Sequence, residues 1–233
     1  MTQTVLVVAA HPDDEVLGCG GTIRRHVEGG DRVEVMFLAD GVGARAPVNA
    51  DSDIRLRRAA AERAALTLGT SPPRFLAFPD NRLDSVPLLD IVQAVETVIS
   101  EVLPAVLYVH HGGDLNVDHR IAHQAAVTAC RPLPGACVRA IYAFETPSST
   151  EWGTESMGEN FRPQRIVDIS SVLDRKIEAL REYDEEVRMF PHPRSIEGIH
   201  ALTQLRGCQA GLTAAEAFVV IRDIVVAETR PGS

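Results

Sequence analysis

The stretch that decides the fold is residues 5–25, VLVVAAHPDDEVLGCGGTIRR, in which an apolar run leads directly into a histidine and three acidic residues. The apolar run predicts a buried strand over residues 4–9, and the residues after it predict a helix over 15–28. His11 and the acidic residues 13–15 therefore stand where the strand leaves the core. Because buried charge is costly unless it is compensated, the stretch predicts a functional site at this strand end.

Length and composition are typical of one globular domain. The chain has 233 residues, 45% of them hydrophobic, so we predict one domain over residues 1–233. The net charge of −9, without a basic run, argues against a nucleic-acid partner. We find no signal sequence and no apolar run near the ~20 residues that span a bilayer, so we predict a cytoplasmic protein without a membrane partner.

Strands and helices alternate over the first two thirds of the chain. Strands are predicted over residues 4–9, 33–38, 74–78, 106–110 and 138–144, and helices over 15–28, 54–68, 87–102 and 119–130, with a loop at 42–52. This order requires parallel crossovers. We therefore predict an α/β fold with a mostly parallel, Rossmann-like sheet and helices on both faces. Ligands bind at the carboxyl ends of the strands in such sheets.

The last third of the chain predicts a smaller portion of helices and strands. The predicted elements are a loop at 145–163, a strand at 166–169, helices at 170–189 and 195–205, and a strand or helix at 217–226. Prolines on both sides of His192 restrict its loop, which favours presentation of His192 and Arg194 to a ligand. The alternative is that the prolines only separate two helices and that Arg194 pairs with Glu185 or Glu186.

The first charged cluster has the spacing of a metal site. His11 and Asp14 are three residues apart, so one turn points both side chains to one side. Asp13 lies between them and is free for proton transfer. The alternative is that Asp13 or Asp14 only caps the following helix.

A second cluster follows the predicted strand 106–110, where residues 110–124 read HHGGDLNVDHRIAHQ. His119 is the best-placed third ligand, because catalytic zinc commonly takes three His or carboxylate ligands and leaves one position open. Asp118 could orient a neighbouring ligand. Each histidine alone could instead be a surface or core residue.

These residues carry a resemblance to a known family. AHPDDEVLGCGGT at 10–22 and DLNVDHR at 114–120 resemble the LmbE/PIG-L family of zinc-dependent N-deacetylases, which remove acetyl from N-acetylglucosamine-type sugars. FPDNRLD, FETPSSTEW and PHPRSIEGI extend the resemblance over almost the whole chain. It implies Zn²⁺, or another divalent metal, on His11, Asp14 and His119, and it implies Asp13 as the general base.

The sequence departs from the family at one position. Many members carry a histidine three positions before the third ligand, where this chain has Asn116. Asn116 could donate a hydrogen bond to an oxyanion, but it cannot carry a proton. His192 is our candidate for the missing imidazole, with His110 and His111 as alternatives.

Substrate contacts are expected from three further places. Asp80 and Arg82 follow the third predicted strand and suit sugar hydroxyl groups. The family implies one substrate-contacting arginine on the helix that carries Arg55, Arg57 and Arg58. Of these we name Arg58, although a solvated face is the alternative. Trp152 suits stacking on a sugar face, or it is a packing residue.

The predicted function is hydrolysis of the N-acetyl group of an N-acetylglucosamine-type amino sugar or its conjugate, giving acetate and the free amine. The alternatives are a zinc amidase acting on another acylated conjugate and a non-catalytic nucleotide-sugar-binding protein. The glycines of GCGGT are a weak nucleotide motif, since their spacing is not GxGxxG. Relatives often assemble, so a homo-oligomer is also expected.

Overall fold

A computed structural model describes residues 2–43 and 50–225 of the chain. In chain order the elements are β1 (Thr4–Ala9), α1 (Asp14–Glu28), β2 (Arg32–Ala39), α2 (Ala50–Leu68), β3 (Arg74–Phe78), α3 (Leu88–Val102), β4 (Val106–His110), α4 (Val117–Ala129), β5 (Ala140–Phe144), β6 (Arg165–Asp168), α5 (Leu173–Arg181), α6 (Ile196–Cys208) and β7 (Ala215–Asp223). Short 3₁₀ turns occupy Leu83–Ser85 and Thr150–Trp152.

The strands form one seven-stranded sheet in the order β3-β2-β1-β4-β5-β7-β6. Strands β1 to β5 run parallel, and β7 runs antiparallel to both β5 and β6. The chain moves outward from β1 to β2 on one side and to β4 on the other. The ends of β1 and β4 therefore border the crevice in which ligands of such sheets bind.

Two apolar layers cover the sheet because alternate residues of each strand face opposite sides. Val5, Val7 and Ala9 of β1 pack on the side of α1, α2 and α5, whereas Leu6 and Val8 pack on the side of α3 and α4. The predicted α/β fold is confirmed, and three predicted strands, at 4–9, 74–78 and 106–110, have the observed bounds.

Helix α1 is kinked, and a buried ion pair fills the kink. Cys19 has non-helical φ −147° and ψ 22°. The Glu216 carboxylate accepts hydrogen bonds from the Gly21 and Thr22 N–H groups at 2.9 and 2.7 Å and from Lys176 Nζ at 2.5 Å. Lys176 Nζ also donates to the Leu17 carbonyl at 2.9 Å. Strand β7 and helix α5 thus hold the first helix from both sides of the break.

The glycines of GCGGT make this packing possible. A Cβ atom on Gly18 would lie 2.2 Å from Phe144 Cδ2, and one on Gly21 would lie 2.7 Å from Ile169 Cγ2. Neither position therefore has room for a side chain. These two glycines serve close packing of α1 on the sheet.

The C-terminal portion differs from its prediction in one element. The helix predicted at 170–189 ends at Arg181 as α5, and turns follow it. The prediction was wrong because Tyr183 and Glu186 are buried against Glu15 and Arg57, and the chain must leave the helix to bring both inward.

Smaller differences concern boundaries. The final element is a strand, β7, and its predicted end at 226 lies outside the described residues. Of the loop predicted at 42–52, residues 44–49 lie outside them as well, and α2 begins at Ala50. No helix in the described part of the chain has the length and apolar character needed to cross a membrane.

We predict that the ion pair at the kink is a main contributor to stability. Lys176→Met should lower the free energy of unfolding by about 3–5 kcal/mol, because it leaves the Glu216 carboxylate buried without its cation. The matched control is Arg175→Met, which breaks the exposed pair with Glu178 and should cost about 0–1 kcal/mol. Urea denaturation measures both. Equal losses for the two variants would contradict a special role for Lys176.

Candidate active site

The charged cluster after β1 forms a tight turn at the carboxyl edge of the sheet. The His11 N–H donates to Asp14 Oδ2 at 2.9 Å, and Asp14 begins helix α1. Strand β4 runs beside β1, with Val109 opposite Val8, so the residues after β4 lie next to this turn. Asp114, Asp118 and His119 are all buried there. The two clusters predicted from separate parts of the sequence therefore form one site.

Three buried side chains converge as a ligand group. His11 Nδ1 lies 3.3 Å and His119 Nε2 lies 3.4 Å from Asp14 Oδ2. One donor atom from each of the three lies within 4.8 Å of the others. The buried His119 Nε2 has no hydrogen-bond partner among the described residues. Two imidazoles and one carboxylate, with an orphaned nitrogen, fit a divalent cation of the zinc type.

The His119 ring is oriented from behind by Asp114. Its Nδ1 lies 3.1 Å from Asp114 Oδ1, and Asp114 in turn accepts a hydrogen bond from Thr150 Oγ1 at 2.5 Å and another from Ser149 Oγ. This contact assigns the His119 proton to Nδ1 and leaves Nε2 free as a ligand. Asp114 was not among the predicted site residues. Its place two residues before Asn116 in the second cluster was the available signal.

His11 is oriented in the same way by two carboxylates. Its Nε2 lies 3.0 Å from both Asp80 Oδ1 and Asp118 Oδ2. Asp118 is fixed by the Asn81 and Leu83 N–H groups, at 2.7 and 3.0 Å. His11, Asp80 and Asp118 also form a second group that could hold a cation. Asp80, predicted to bind sugar, therefore contacts the metal-ligand candidate His11, and it also lines a polar cavity beside the ligand group.

The pKa values show how strongly these groups influence one another. Burial alone lowers the pKa of His119, but the Asp14 and Asp114 carboxylates raise it to about 9. Burial alone raises the pKa of Asp114, but hydrogen bonds, first of all with His119, lower it to about 2. Without a cation, the acidic cluster thus favours a second proton on His119, at Nε2, and a cation bound at Nε2 would displace that proton while the one on Nδ1 stays.

Asp13 lines the same cavity, and its backbone conformation is unusual. Its φ of 122° is in the region that favours glycine, and its side chain makes no capping hydrogen bond to α1. The alternative that Asp13 serves as a helix cap is therefore not what the structure shows. Its Oδ2 accepts from Arg194 Nη1 at 2.9 Å, and Arg57 Nη1 lies 4.0 Å away. Burial raises the pKa of Asp13 to about 7, although the Arg194 guanidinium opposes the rise.

The cavity has a volume of about 120 Å³. Two members of the ligand group, His11 and Asp14, line it. The lining also includes Asp13, Asp80, Asn116, Glu186, Arg57 and Arg194. Glu186 contacts both arginines, with Arg194 Nη1 at 3.6 Å. The lining thus alternates cationic and anionic groups around Asp13. A small polar group such as an acetamide fits a cavity of this size and character.

Asn116 has a structural role that its sequence position did not indicate. It is the N-cap of α4, where its Oδ1 accepts from the Asp118 N–H at 2.8 Å. Its Nδ2 donates to Asn81 Oδ1 at 3.3 Å. Asn116 also lines the cavity, and one of its two amide N–H groups is not used by Asn81 and can donate at the site.

Five predicted site residues do not line this cavity. One is His119, which still belongs to the ligand group; the other four are His192, Trp152, Arg58 and Arg82. His192 Nδ1 accepts from the Arg194 N–H at 3.1 Å, and its ring meets the edge of Trp152, which is 49% exposed, at 6.4 Å. The Arg58 guanidinium lies over the Phe75 ring at 5.1 Å, and Arg82 is exposed.

Two neighbours occupy the places expected for these residues. Arg57 rather than Arg58 reaches the cavity, and Arg194 rather than His192 does so from the proline-rich loop. Arg194 also pairs with Glu186, so the alternative interpretation of that loop is partly correct. Glu15 and Tyr183, which lie behind Asp13, were not predicted as site residues.

Comparisons with known proteins agree with the predicted family. The chain is 31% identical to the uncharacterized deacetylase YaiS of Escherichia coli K12, over 62% of this chain and 75% of that protein. It is 29% identical to a probable N-acetyl-alpha-D-glucosaminyl L-malate deacetylase 2 of Bacillus cereus, over 77% of this chain and 82% of that one.

A solved structure shares the fold over the full chain. The 4-carboxy-2-hydroxymuconate hydratase GalB of Pseudomonas putida superposes with a TM-score of 0.75 and 25% identity, over 98% of this chain and 100% of that one. Residues 6–130, more than half of the chain, match the PIG-L family, described as GlcNAc-PI de-N-acetylase. With its HPDDE and DH clusters gathered into one ligand group, the chain belongs to the PIG-L family.

Proposed function

We propose that the chain is a metal-dependent N-deacetylase that removes acetyl from an amino sugar or amino-sugar conjugate of the N-acetylglucosamine type. One observation carries the proposal. Two members of the His-Asp-His ligand group, His11 and Asp14, line one small polar cavity together with Asp13, whose carboxylate is not used as a helix cap. The names of both relatives support deacetylation, and that of the Bacillus cereus relative supports an acetylated amino sugar as substrate.

The residues of the site divide the reaction between them. A divalent cation held by His11, Asp14 and His119 would polarise the acetamide carbonyl and lower the pKa of water. Asp13 accepts a proton from the water that attacks the carbonyl carbon. The amide of Asn116 donates to the oxyanion that develops there. Asp13 then returns the proton to the sugar nitrogen as the C–N bond breaks, which leaves acetate and a free amine.

Zinc is our proposal for the metal, because the donor set is two imidazoles and one carboxylate. Arg57 and Arg194 keep the Asp13 carboxylate in the cavity. Asp80 is placed to accept hydrogen bonds from a sugar hydroxyl as well as to orient His11. A cytoplasmic location, one domain and a homo-oligomer stay predictions.

The fold alone does not select the reaction, since a hydratase shares it. An amidase acting on a different acyl conjugate would use the same groups, whereas a non-catalytic sugar-binding protein would bind ligand without turnover. Four activities are thus compared: deacetylase, amidase, hydratase and binding alone. Turnover of N-acetylhexosamine conjugates, other acyl amides and a hydroxymuconate, measured side by side, separates them. The proposal expects acetate from the first class alone.

We predict that Asp13→Asn lowers kcat by about 10²–10⁴ with little change in KM, because it removes the proton acceptor but keeps the shape of the side chain. Asp90→Asn, on the exposed face of α3, is the matched control and should behave as wild type. Acetate release is the measurement. Full activity in Asp13→Asn, or in wild type treated with a chelator, would contradict the mechanism.

We predict that His119→Ala weakens Zn²⁺ binding by more than about 100-fold. This exceeds the loss of about 10–100-fold that is usual when a residue that only orients a metal ligand is replaced. His123→Ala is the control. His123 lies four residues after His119 on α4, but its ring donates to the His110 carbonyl and it is not in the ligand group. Calorimetric titration of the metal-free protein measures both. If Asp80→Asn abolishes binding and His119→Ala does not, the cation belongs to the group of His11, Asp80 and Asp118.

We predict that Asn116→Ser lowers kcat by about 10², because serine keeps an N-cap oxygen but lacks the amide donor. The melting temperature should stay at the wild-type value, since the cap of α4 is retained. Steady-state kinetics and a thermal melt check the two parts. Unchanged kcat would restrict Asn116 to its capping role.

A further inference from the structure

Asp13 has a backbone conformation that an ordinary helix start does not require. An N-cap aspartate normally has an extended conformation and lays its side-chain oxygen over the first N–H groups of the helix. Asp13 instead has φ 122° and ψ −30°, and its side chain caps nothing. Its carbonyl still accepts from the Val16 and Leu17 N–H groups, at 3.1 and 2.9 Å. The unusual φ therefore redirects the side chain without giving up the helix start.

Such a conformation persists only where neighbouring groups hold it. The Asp13 N–H donates to Glu15 Oε2 at 3.0 Å. The other oxygen of Glu15 accepts from the Tyr183 hydroxyl at 2.6 Å. Glu15 and Tyr183 are 3% and 2% exposed, so neither contact competes with bulk water. The turn after α5, where the chain leaves the predicted helix, brings Tyr183 to this position.

We propose that Glu15, backed by Tyr183, is a positioning residue that holds Asp13 in its left-handed conformation and so directs the Asp13 carboxylate into the cavity. Without this hydrogen bond, residue 13 returns to the ordinary N-cap conformation, and its carboxylate turns onto the N-terminus of α1. The inference rests on the proposed function, because the carboxylate it positions is the proposed base.

A thermal double-mutant cycle tests the proposal without any assay of activity. Asp13→Ala and Asp13→Gly both remove the carboxylate, but only glycine adopts φ 122° without strain. With Glu15 present, Asp13→Gly should melt at a higher temperature than Asp13→Ala. With Glu15→Leu, the advantage of glycine should disappear, because residue 13 is no longer held. The intrinsic difference between glycine and alanine is common to both backgrounds and cancels.

Kinetics test the same link through the reaction. Glu15→Leu should lower kcat by about tenfold or more while KM stays within about twofold, because the base is misplaced and substrate binding is not. Glu15→Gln should recover kcat to within about threefold of wild type, since its amide oxygen accepts the same N–H. Tyr183→Phe should lower kcat less than Glu15→Leu does. Tyr142→Phe is the matched control, because its hydroxyl bonds Asp223 on β7, away from the cavity, and kcat should not change.

The outcomes are decisive in each direction. An equal advantage of glycine in both backgrounds, or a folded Glu15→Leu variant with wild-type kcat, overturns the positioning role. If Glu15→Leu does not fold, the cycle and the kinetics are carried out on Tyr183→Phe, where an undiminished glycine advantage and unchanged kcat overturn it. If wild type releases no acetate from any acetamido sugar, the proposed function fails, and the thermal cycle still decides whether Glu15 holds Asp13.

Discussion

The structure depends on compensating a dense group of buried acids at one edge of its sheet. Asp14, Asp80, Asp114 and Asp118 surround His11 and His119, and all six side chains are buried. Carboxylates can be buried only where cations or hydrogen-bond donors satisfy them. Backbone N–H groups satisfy part of the Asp14, Asp114 and Asp118 carboxylates, and the imidazoles lie against all four. The remaining requirement, at Asp14 and the free Nε2 of His119, matches a divalent cation.

The same constraint explains why distant parts of the chain meet around Asp13. Arg57 comes from α2, and Arg194 comes from the loop before α6. Glu186, in the turn after α5, pairs with both arginines and keeps the two guanidiniums from being an uncompensated positive cluster. Asp13 therefore lies among balanced charges, and its pKa is raised to about 7 mainly by burial. A carboxyl group with such a pKa suits proton transfer in both directions near neutral pH.

The supporting structure behind the site is as specific as the site itself. The Lys176–Glu216 pair holds the kink of α1, and Gly18 and Gly21 let that helix lie against Phe144 and Ile169. These contacts set where α1 begins, and Asp14 is its first residue. A shift of α1 would move the ligand group and Asp13 together. The position of the first helix thus fixes the positions of Asp13 and Asp14 in the site.

Local sequence determined the strands, their ends and the chemistry placed there. The period of apolar residues predicted the α/β fold, and the positions of HPDDE and NVDH at strand ends predicted that the two clusters would meet. Only the tertiary structure decided which neighbour reaches the cavity. Helix rotation selects Arg57 over Arg58, and loop packing selects Arg194 over His192. The early end of α5 has the same origin, because Tyr183 and Glu186 leave the helix for partners more than a hundred residues away in the chain. A local pattern reports a residue's preference for helix, strand or turn, but the partner of a buried side chain depends on how the whole chain packs.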